Sequence, residues 1–327
     1  MKKKDSYIFI FILIALASTV IGLSLGSMKY SFGQVLKGLF VHDESMEHLI
    51  IFKIRLPRVI GGGLVGMALA LSGALLQGVM RNNLASPSVI GVTNGASFVG
   101  HLTLMAFPAY AYLLPVGTIV GALLTTIFIY RLAYSDGINP NRLVLSGVAV
   151  GAMFTAFNNM LRSMFPERLA STLGFTIGSL NGLGWGEVFF ASPYIIISII
   201  IALMMSNNMN VLMLGDELSS SLGLKTERFR FLIIIVSSLL SGAAIAIAGL
   251  ISFVGLIVPH IARIFVGNDY RKLSLASMLL GYSFVILSDA VGRIILPIGE
   301  IAVSVIVAFL GAPFFLYLLR ERYRKGH

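Results

Sequence analysis

Residues 214–230 read LGDELSSSLGLKTERFR and carry six charged side chains in seventeen residues. The flanking residues 194–205 and 231–250 contain no charged side chain at all. In the whole chain of 327 residues, 12% are charged and 57% are hydrophobic. A polar segment between two such apolar runs indicates a connection that leaves the lipid bilayer between two membrane-spanning helices.

The composition predicts an all-α polytopic membrane protein with a single membrane domain over residues 1–327. The mean hydropathy is +0.92, and apolar windows of about 20 residues recur along the chain. Thirty-four glycines and 14 methionines suit packed helices, and the period-two alternation of a membrane barrel is missing. The net charge is +10, and the basic residues lie between apolar segments, where they set the orientation of the protein in the membrane. Nucleic-acid binding is therefore not expected.

Ten membrane spans are predicted, in a compact bundle. Their approximate bounds are 7–27, 58–80, 88–107, 109–133, 141–165, 187–206, 229–249, 250–266, 273–296 and 300–320. The eighth is expected to be a broken helix, because Gly249, Gly255 and Pro259 fall close together in GLISFVGLIVPH. Close helix contacts are indicated by small-xxx-small pairs, namely Gly22/Gly26, Gly62/Gly66, Gly91/Gly95, Gly117/Gly121 and Gly147/Gly151.

The distribution of basic residues predicts the orientation. MKKK followed by IFIFILIALAS resembles a signal peptide, but the apolar run continues to Leu25, which favours an uncleaved first helix. With a cytoplasmic N-terminus, 16 of the 24 basic residues lie inside. The other eight are Lys29, Lys37, Lys53, Arg55, Arg58, Arg162, Arg168 and Arg293. This bias predicts that both termini and the segment 214–230 are cytoplasmic.

An internal similarity suggests a 5+5 inverted repeat. LVGMALALSGALLQGV at 64–79 resembles LLSGAAIAIAGLISFV at 239–254, and a proline-containing segment follows each. In the predicted topology the two helices run in opposite directions, as in many transporters. Chance similarity between glycine- and alanine-rich helices is the alternative.

The polar segment itself predicts two short helices on the membrane face. Asp216 or Glu217 can cap the first, Gly223 can end it, and a second can begin near Thr226. One interpretation is a solvated loop that reverses the chain. The other is a docking surface for a partner, because a loop made only for reversal could be much shorter.

The chain lacks the motifs of energy-converting chemistry. No phosphate-binding G-x-x-x-x-G-K-[ST], HExxH or GxSxG pattern occurs, and without cysteines there is no thiolate site. The five histidines lack helical ligand spacing, so neither a catalytic nor a metal site is predicted. An ion-coupled secondary transporter needs ionisable groups near the midplane, where only Asp289 and His101 come close. An intramembrane enzyme needs a nucleophile facing a base, and no such constellation is visible.

Several ordered motifs resemble the FecCD family, the permease subunits of type II ABC importers for iron–siderophores, haem and cobalamin. The similarity runs nearly end to end through LGDELSSSLGL, IRLPRVIGGGLVGMALALSGALLQGVMRNNLASPSVIGVTNGA, GLISFVGLIVPHIAR and DAVGRIILPIGEIAVSVIVAFLGAPFFLYLL. It implies a multi-pass permease of the bacterial cytoplasmic membrane that binds no cofactor. A separate cytoplasmic ATPase would use ATP-Mg, and an extracytoplasmic binding protein would deliver the cargo.

The resemblance also implies roles for individual residues. Within the coupling segment, about 211–228, the residues expected in a groove of the ATPase are Gly215, Asp216, Glu217, Leu218, Leu222 and Gly223. The arginines matching those that pair with glutamates of a binding protein are Arg55, Arg58 and Arg293. Helix-end anchoring is the alternative for Arg55 and Arg58, and an ion pair with Asp289, four residues earlier on one helix face, is the alternative for Arg293.

The translocation pathway is expected between this chain and a second permease subunit, identical or homologous, mainly along GVAVGAMFTAFNNMLRSMF. Candidate lining residues are Met153, Phe154, Phe157, Asn158 and Met160, and packing is the alternative role for each. A ferric siderophore is the expected cargo, with haem and cobalamin as alternatives. The sequence does not decide among these cargoes, nor between a homodimer and a heterodimer.

Overall fold

The computed structural model describes residues 2–26, 28–41, 45–135, 140–296 and 298–325. Within these ranges all regular structure is helical and no β-strand occurs. The α-helices are α1 (Lys2–Ser24), α2 (Phe32–Phe40), α3 (Met46–His48), α4 (Leu56–Val79), α5 (Val92–His101), α6 (Leu114–Ala133), α7 (Pro140–Met164), α8 (Leu169–Ile177), α9 (Trp185–Met204), α10 (Ser206–Leu212), α11 (Asp216–Ser221), α12 (Thr226–Ala248), α13 (Val254–Val266), α14 (Tyr270–Ile295) and α15 (Val303–Lys325). A π-helical segment, Leu49–Arg55, joins α3 to α4, and another, Leu102–Ala106, extends α5.

Seven helical stretches among the described residues are long and apolar enough to cross a membrane. They are Ser6–Ser24, Met46–Val79, Pro108–Ala133, Asn141–Met164, Trp185–Met204, Thr226–Ala248 and Tyr270–Ile295. Val254–Val266 and Val303–Tyr317 are shorter apolar helices. The prediction of an all-helical, multi-pass membrane protein is therefore confirmed. Every predicted span overlaps an α-helix, although α5, α13 and the apolar part of α15 are too short to meet the same criterion.

Helix α4 lies at the centre of the bundle and packs against α12, α13 and α14. A Cβ atom added at Gly66 would lie 2.0 Å from the Gly281 carbonyl oxygen, and one at Gly73 would lie 1.8 Å from the Gly255 carbonyl oxygen. These backbones therefore touch where only glycine fits. Such contacts explain the use of small residues where lipid provides no hydrophobic drive for helix association.

The expected interruption of the eighth span lies at the first of the three residues named for it. The non-helical residues are 249–253, with Gly249 at φ +67° and Phe253 at φ +66°, whereas α13 continues through Pro259. A proline inside a helix frees the carbonyl four residues earlier. The Gln77 side chain on α4 donates to that carbonyl, Gly255 O, at 3.3 Å. The predicted interruption of the eighth span is therefore present at Gly249, whereas the helix continues through Gly255 and Pro259.

Candidate functional site

The chain between α9 and α12, which includes most of the polar segment, folds into two short helices at one end of the bundle. Helix α10 directly follows α9, and α11 begins after Gly215, whose φ of +114° is accessible to glycine. Gly223, at φ +85°, separates α11 from α12. The predicted stop at Gly223 and the predicted start near Thr226 are confirmed.

Two details of this segment differ from the prediction. The residue at the N-cap of α11 is Gly215, and Asp216 and Glu217 lie inside the helix. Thr226 begins the long helix α12, not a second short one. The segment thus contains one short helix, α11, and a second short helix, α10, lies just before the segment and follows α9.

Asp216 joins three parts of the chain. Its Oδ1 accepts from Arg81 Nη2 at 2.6 Å and from Arg230 Nη2 at 2.5 Å. Arg81 follows α4 and has φ of +46°, an uncommon conformation for a residue with a side chain. Arg230 is buried in α12 and also donates to Glu227 Oε1 at 2.9 Å. The carboxylate of Asp216 therefore links α11 to the ends of α4 and α12.

The electrostatics of Asp216 agree with this geometry. Burial alone raises the pKa of its carboxyl, but the hydrogen bond and charge of Arg230, together with Arg81, outweigh burial and leave the pKa below its ordinary value. Asp216 is thus held ionised as the centre of a three-residue cluster, although 53% of its side chain is exposed.

Helix α11 turns its apolar side outward. Leu218 is 58% exposed and Leu222 is 65% exposed, whereas Ser219 is fully buried and donates through Oγ to Val211 O at 2.7 Å. A short helix held from beneath, with two leucines presented outward, has the form of a contact surface.

At the opposite end of α4, a buried charge cluster joins α4 to α14. Arg58 binds Asp289 through Nη2 at 2.8 Å and Nε at 3.0 Å, and its Nη1 donates to Glu300 Oε2 at 2.8 Å. Arg293 Nε lies 3.1 Å from Asp289 Oδ2. The expected pair on one face of α14 is therefore present, but Asp289 is shared with Arg58. Bidentate arginine–carboxylate geometry is among the stronger polar contacts in proteins.

Arg55 and Arg293 hold the end of α1. Arg55 Nη1 donates to Leu23 O at 2.7 Å, and Arg293 Nη2 donates to Gly22 O at 2.8 Å. Cationic side chains are favourable where the last carbonyls of a helix lack partners. The arginines predicted for docking, Arg55, Arg58 and Arg293, are 5%, 7% and 4% exposed, yet all three line a cavity of about 200 Å³. Each thus has an internal partner, and docking through them stays a prediction.

The candidate pathway residues on α7 do not form one surface. Met153, Phe157 and Met160 are 40%, 38% and 53% exposed. Phe154 is less exposed and packs against Phe98 of α5, with ring centroids 5.4 Å apart, and the Phe157 ring also reaches Phe98, at 5.6 Å. Asn158 is buried, and its Nδ2 donates to Ser97 Oγ of α5 at 3.4 Å. The geometry therefore leaves the two methionines and Phe157 on the open side of α7 and turns Asn158 inward.

Arg81, Arg230 and Glu300 belong to these clusters, but the sequence analysis did not select them. Glu300 was detectable as an isolated acid in the apolar end motif LPIGEIAV. The other two were counted only as topogenic charges, because their partner Asp216 lies 135 and 14 residues away.

Comparisons with known proteins agree on the family. The FecCD transport family matches residues 12–321. The Fe(3+)-citrate import system permease protein YfmE of Bacillus subtilis is 37% identical and covers 97% of this chain and 96% of its own. The cobalamin import system permease protein BtuC of Halobacterium salinarum is 38% identical over 84% of this chain and 74% of its own.

A solved structure, described as an inward-facing conformation of a metal-chelate type ABC transporter, has a TM-score of 0.86. It is 31% identical and covers 97% of this chain and 99% of its own. Sequence and structure thus match over almost the whole length. The chain belongs to the FecCD transport family, the membrane permease components of ABC importers, in which a separate subunit hydrolyses ATP.

Proposed function

We propose that this chain is the translocation subunit of an importer that moves a ferric chelate across the bacterial cytoplasmic membrane. The names of two relatives from Bacillus subtilis support the cargo class, since they denote permeases for Fe(3+)-citrate and for iron(3+)-hydroxamate. The cobalamin permease, at 38% identity, keeps cobalamin as the second candidate.

Segment 214–230 is the proposed contact with the ATPase, and its geometry carries the proposal. Asp216 fixes α11 to the ends of α4 and α12, while Leu218 and Leu222 remain exposed. Apolar side chains on a rigid support can enter a groove of a partner and pass its movement to the spanning helices. The six residues of the coupling segment named above therefore keep their proposed role.

The opposite end of α4 is the proposed docking side for an extracytoplasmic binding protein. The cavity beside Arg55, Arg58 and Arg293 also contains Glu300. Three arginines against Asp289 and Glu300 leave one excess positive charge, which favours an acidic side chain of a partner. Pairs of this kind orient and steer docking more than they add affinity.

The open side of α7 is the proposed boundary with a second permease subunit and with the pathway. Met153, Phe157 and Met160 are exposed there, and Phe309 and Leu310 of α15 are exposed as well. A paired subunit would cover such apolar surfaces. Phe154 and Asn158 are then proposed to support the pathway wall through their contacts with α5.

Ten spans in an inverted 5+5 repeat are the proposed topology, with both termini in the cytoplasm. Helices α4 and α12 are each followed by an irregular stretch and then by a short helix, α5 or α13. The residue that precedes each short helix, Gly91 or Phe253, has positive φ. In addition, α4 packs on α14, while α12 packs on α6. In the repeat, α4 corresponds to α12 and α6 corresponds to α14. Exchanging the two halves therefore turns the α4–α14 contact into the α12–α6 contact.

The test is uptake by the reconstituted importer. The permease is placed in proteoliposomes with its cognate ATPase and binding protein, and ATP-dependent entry of radiolabelled ferric citrate, a ferric hydroxamate and cobalamin is compared. We expect entry of a ferric chelate. Entry of cobalamin alone would make cobalamin the cargo in place of a ferric chelate. Entry without ATP would contradict the assignment as an ATP-driven importer.

A further inference from the structure

An open cleft of about 670 Å³ lies between the last turns of α6 and the first turns of α12. Its volume is in the range of small-molecule sites. It opens at the same end of the bundle as α11, because α12 begins only a few residues after α11 ends. The cleft shares Glu227 and Arg228 with segment 214–230, but it is not lined by any of the six coupling residues named above or by the docking and pathway candidates.

The walls of the cleft are apolar and aromatic. Tyr130 and Phe231 pack edge to face with ring centroids 4.7 Å apart, which holds α6 against α12. Ile127 and Leu232 continue the wall towards the middle of each helix, and Leu232 is 51% exposed. Such a surface suits an alkyl chain lying along the two helices.

The rim of the cleft is basic. Arg131 and Arg228 both line it, are both exposed, and form no ion pair within the described residues. The one acid in the lining, Glu227, is engaged by Arg230 at 2.9 Å. Tyr134 lies at the same level and is 53% exposed. Arginine and tyrosine at a helix end are typical of the level where lipid headgroups meet the protein.

We propose that this cleft binds one anionic phospholipid, with its phosphate between Arg131 and Arg228 and an acyl chain along Phe231 and Leu232. Charge complementarity selects an anionic headgroup, since basic pockets between membrane helices on the cytoplasmic side suit such lipids. The lipid would connect α6 to the first turns of α12, directly beside the coupling segment. The proposal rests on the membrane orientation given under the proposed function, but its test requires neither transport nor a partner.

The first experiment measures lipid retained by the purified permease. Native mass spectrometry in detergent follows the titration of phosphatidylglycerol, with phosphatidylcholine as the neutral comparison. We expect the double variant Arg131→Gln/Arg228→Gln to bind phosphatidylglycerol about 30-fold more weakly, because the loss of each basic side chain near an anionic lipid weakens binding roughly fivefold. Binding of phosphatidylcholine should change little.

The matched control is Arg142→Gln, which removes an exposed arginine near the start of α7 that does not line the cleft. It should leave the retention of phosphatidylglycerol unchanged. If the control and the double variant lost phosphatidylglycerol equally, the effect would come from general surface charge, and the proposed site would be overturned. Unchanged retention in the double variant would overturn it too.

A second measurement places the acyl chain. The protein has one tryptophan, Trp185, so the variant Trp185→Phe/Leu232→Trp carries a single reporter in the cleft. Brominated phosphatidylglycerol should quench its fluorescence several-fold more strongly than brominated phosphatidylcholine at the same mole fraction. Equal quenching by the two lipids would show ordinary lipid contact and contradict a selective site.

Discussion

Arg58 on α4 donates to both carboxylate oxygens of Asp289 on α14, although the two residues are 231 positions apart in the chain. Asp289 is 3% exposed and also faces Arg293, while Arg58 reaches on to Glu300. The single buried carboxylate of Asp289 thus lies against two buried positive charges, those of Arg58 and Arg293. Removing one partner of a buried pair costs more than the pair contributes, because the remaining charge stays desolvated.

The variant Asp289→Asn should therefore destabilise the permease by about 3–5 kcal/mol. The measurement is the midpoint of thermal unfolding or aggregation in detergent. Glu300→Gln is the matched control, because the Glu300 side chain is 27% exposed and, among the described residues, forms an ion pair with Arg58 only. Equal effects of the two variants would contradict the central position of Asp289.

Leu218→Asp should leave the permease in the membrane but weaken its hold on the ATPase. Leu218 is 58% exposed, so the folded subunit tolerates a charge there. A carboxylate forced into an apolar groove of the partner remains desolvated and unpaired, which costs several kcal/mol. Copurification of the ATPase and ATP-driven uptake are measured at equal permease abundance.

The matched control for Leu218→Asp is Ser220→Asp, on the same helix and also exposed to solvent. Normal uptake by Leu218→Asp would sink the coupling assignment. Loss of uptake in both variants would assign the effect to the charge on α11 rather than to the leucine contact.

Acid should loosen α11 at a pH set by Asp216. Its folded pKa lies below the ordinary value, because Arg230 and Arg81 outweigh the effect of burial. A lowered pKa adds stability at pH above the unfolded value of about 3.9, and this contribution is lost as the pH falls through the folded pKa. Since the side chain is half exposed, we expect this contribution to the free energy of unfolding to be less than about 1 kcal/mol. Hydrogen exchange of residues 216–221 should be steady near neutrality, after correction for intrinsic rates, and rise below about pH 4.

Asp216→Asn should remove this step and raise exchange in α11 already at neutral pH. Glu217→Gln, which removes the neighbouring carboxylate but leaves the links to Arg81 and Arg230, should retain the step. A step that persists in Asp216→Asn would assign the acid sensitivity to another group.

The local features were readable from the sequence, and the long-range ones were not. Apolar length located the helices, and Gly223 marked the end of α11 because its backbone needs positive φ. In contrast, the carbonyl that Pro259 frees in helix α13 accepts a hydrogen bond from Gln77, 182 positions earlier by residue number. No spacing rule within the segment contains that information.

Charge partners show the same limit. The pair Asp289–Arg293 was predictable from its i,i+4 spacing, but the stronger bidentate contact with Arg58 depends on α4 lying beside α14. Burial of Arg55 and Arg58 was equally hidden, since arginines at the start of a span ordinarily reach the interface. The side chains proposed for docking are thus the same ones that anchor helices inside the bundle.

Membrane orientation has a direct test, because the chain contains no cysteine. Ser220→Cys, on the exposed side of α11, should react with an impermeant maleimide only after permeabilisation. Tyr112→Cys is the comparison, as Tyr112 is 70% exposed between α5 and α6, which the proposed topology places outside. Labelling of Ser220→Cys in intact cells would overturn the topology.

Arg55 gives the cleanest test of docking, because its hydrogen-bond partners are carbonyl groups of Leu23, Ser24 and Met28 rather than acids. Arg55→Gln should weaken binding of the cognate binding protein, and the loss should shrink above about 0.15 M salt, where screening acts within roughly 8 Å. Lys53→Gln, an exposed charge on the same helical stretch, should have a smaller effect. If Arg55 only anchors α1, its variant lowers thermal stability and leaves binding unchanged at every salt concentration. Rescue by an arginine replacing a glutamate of the binding protein, opposite the variant Arg55→Glu, would establish the contact itself.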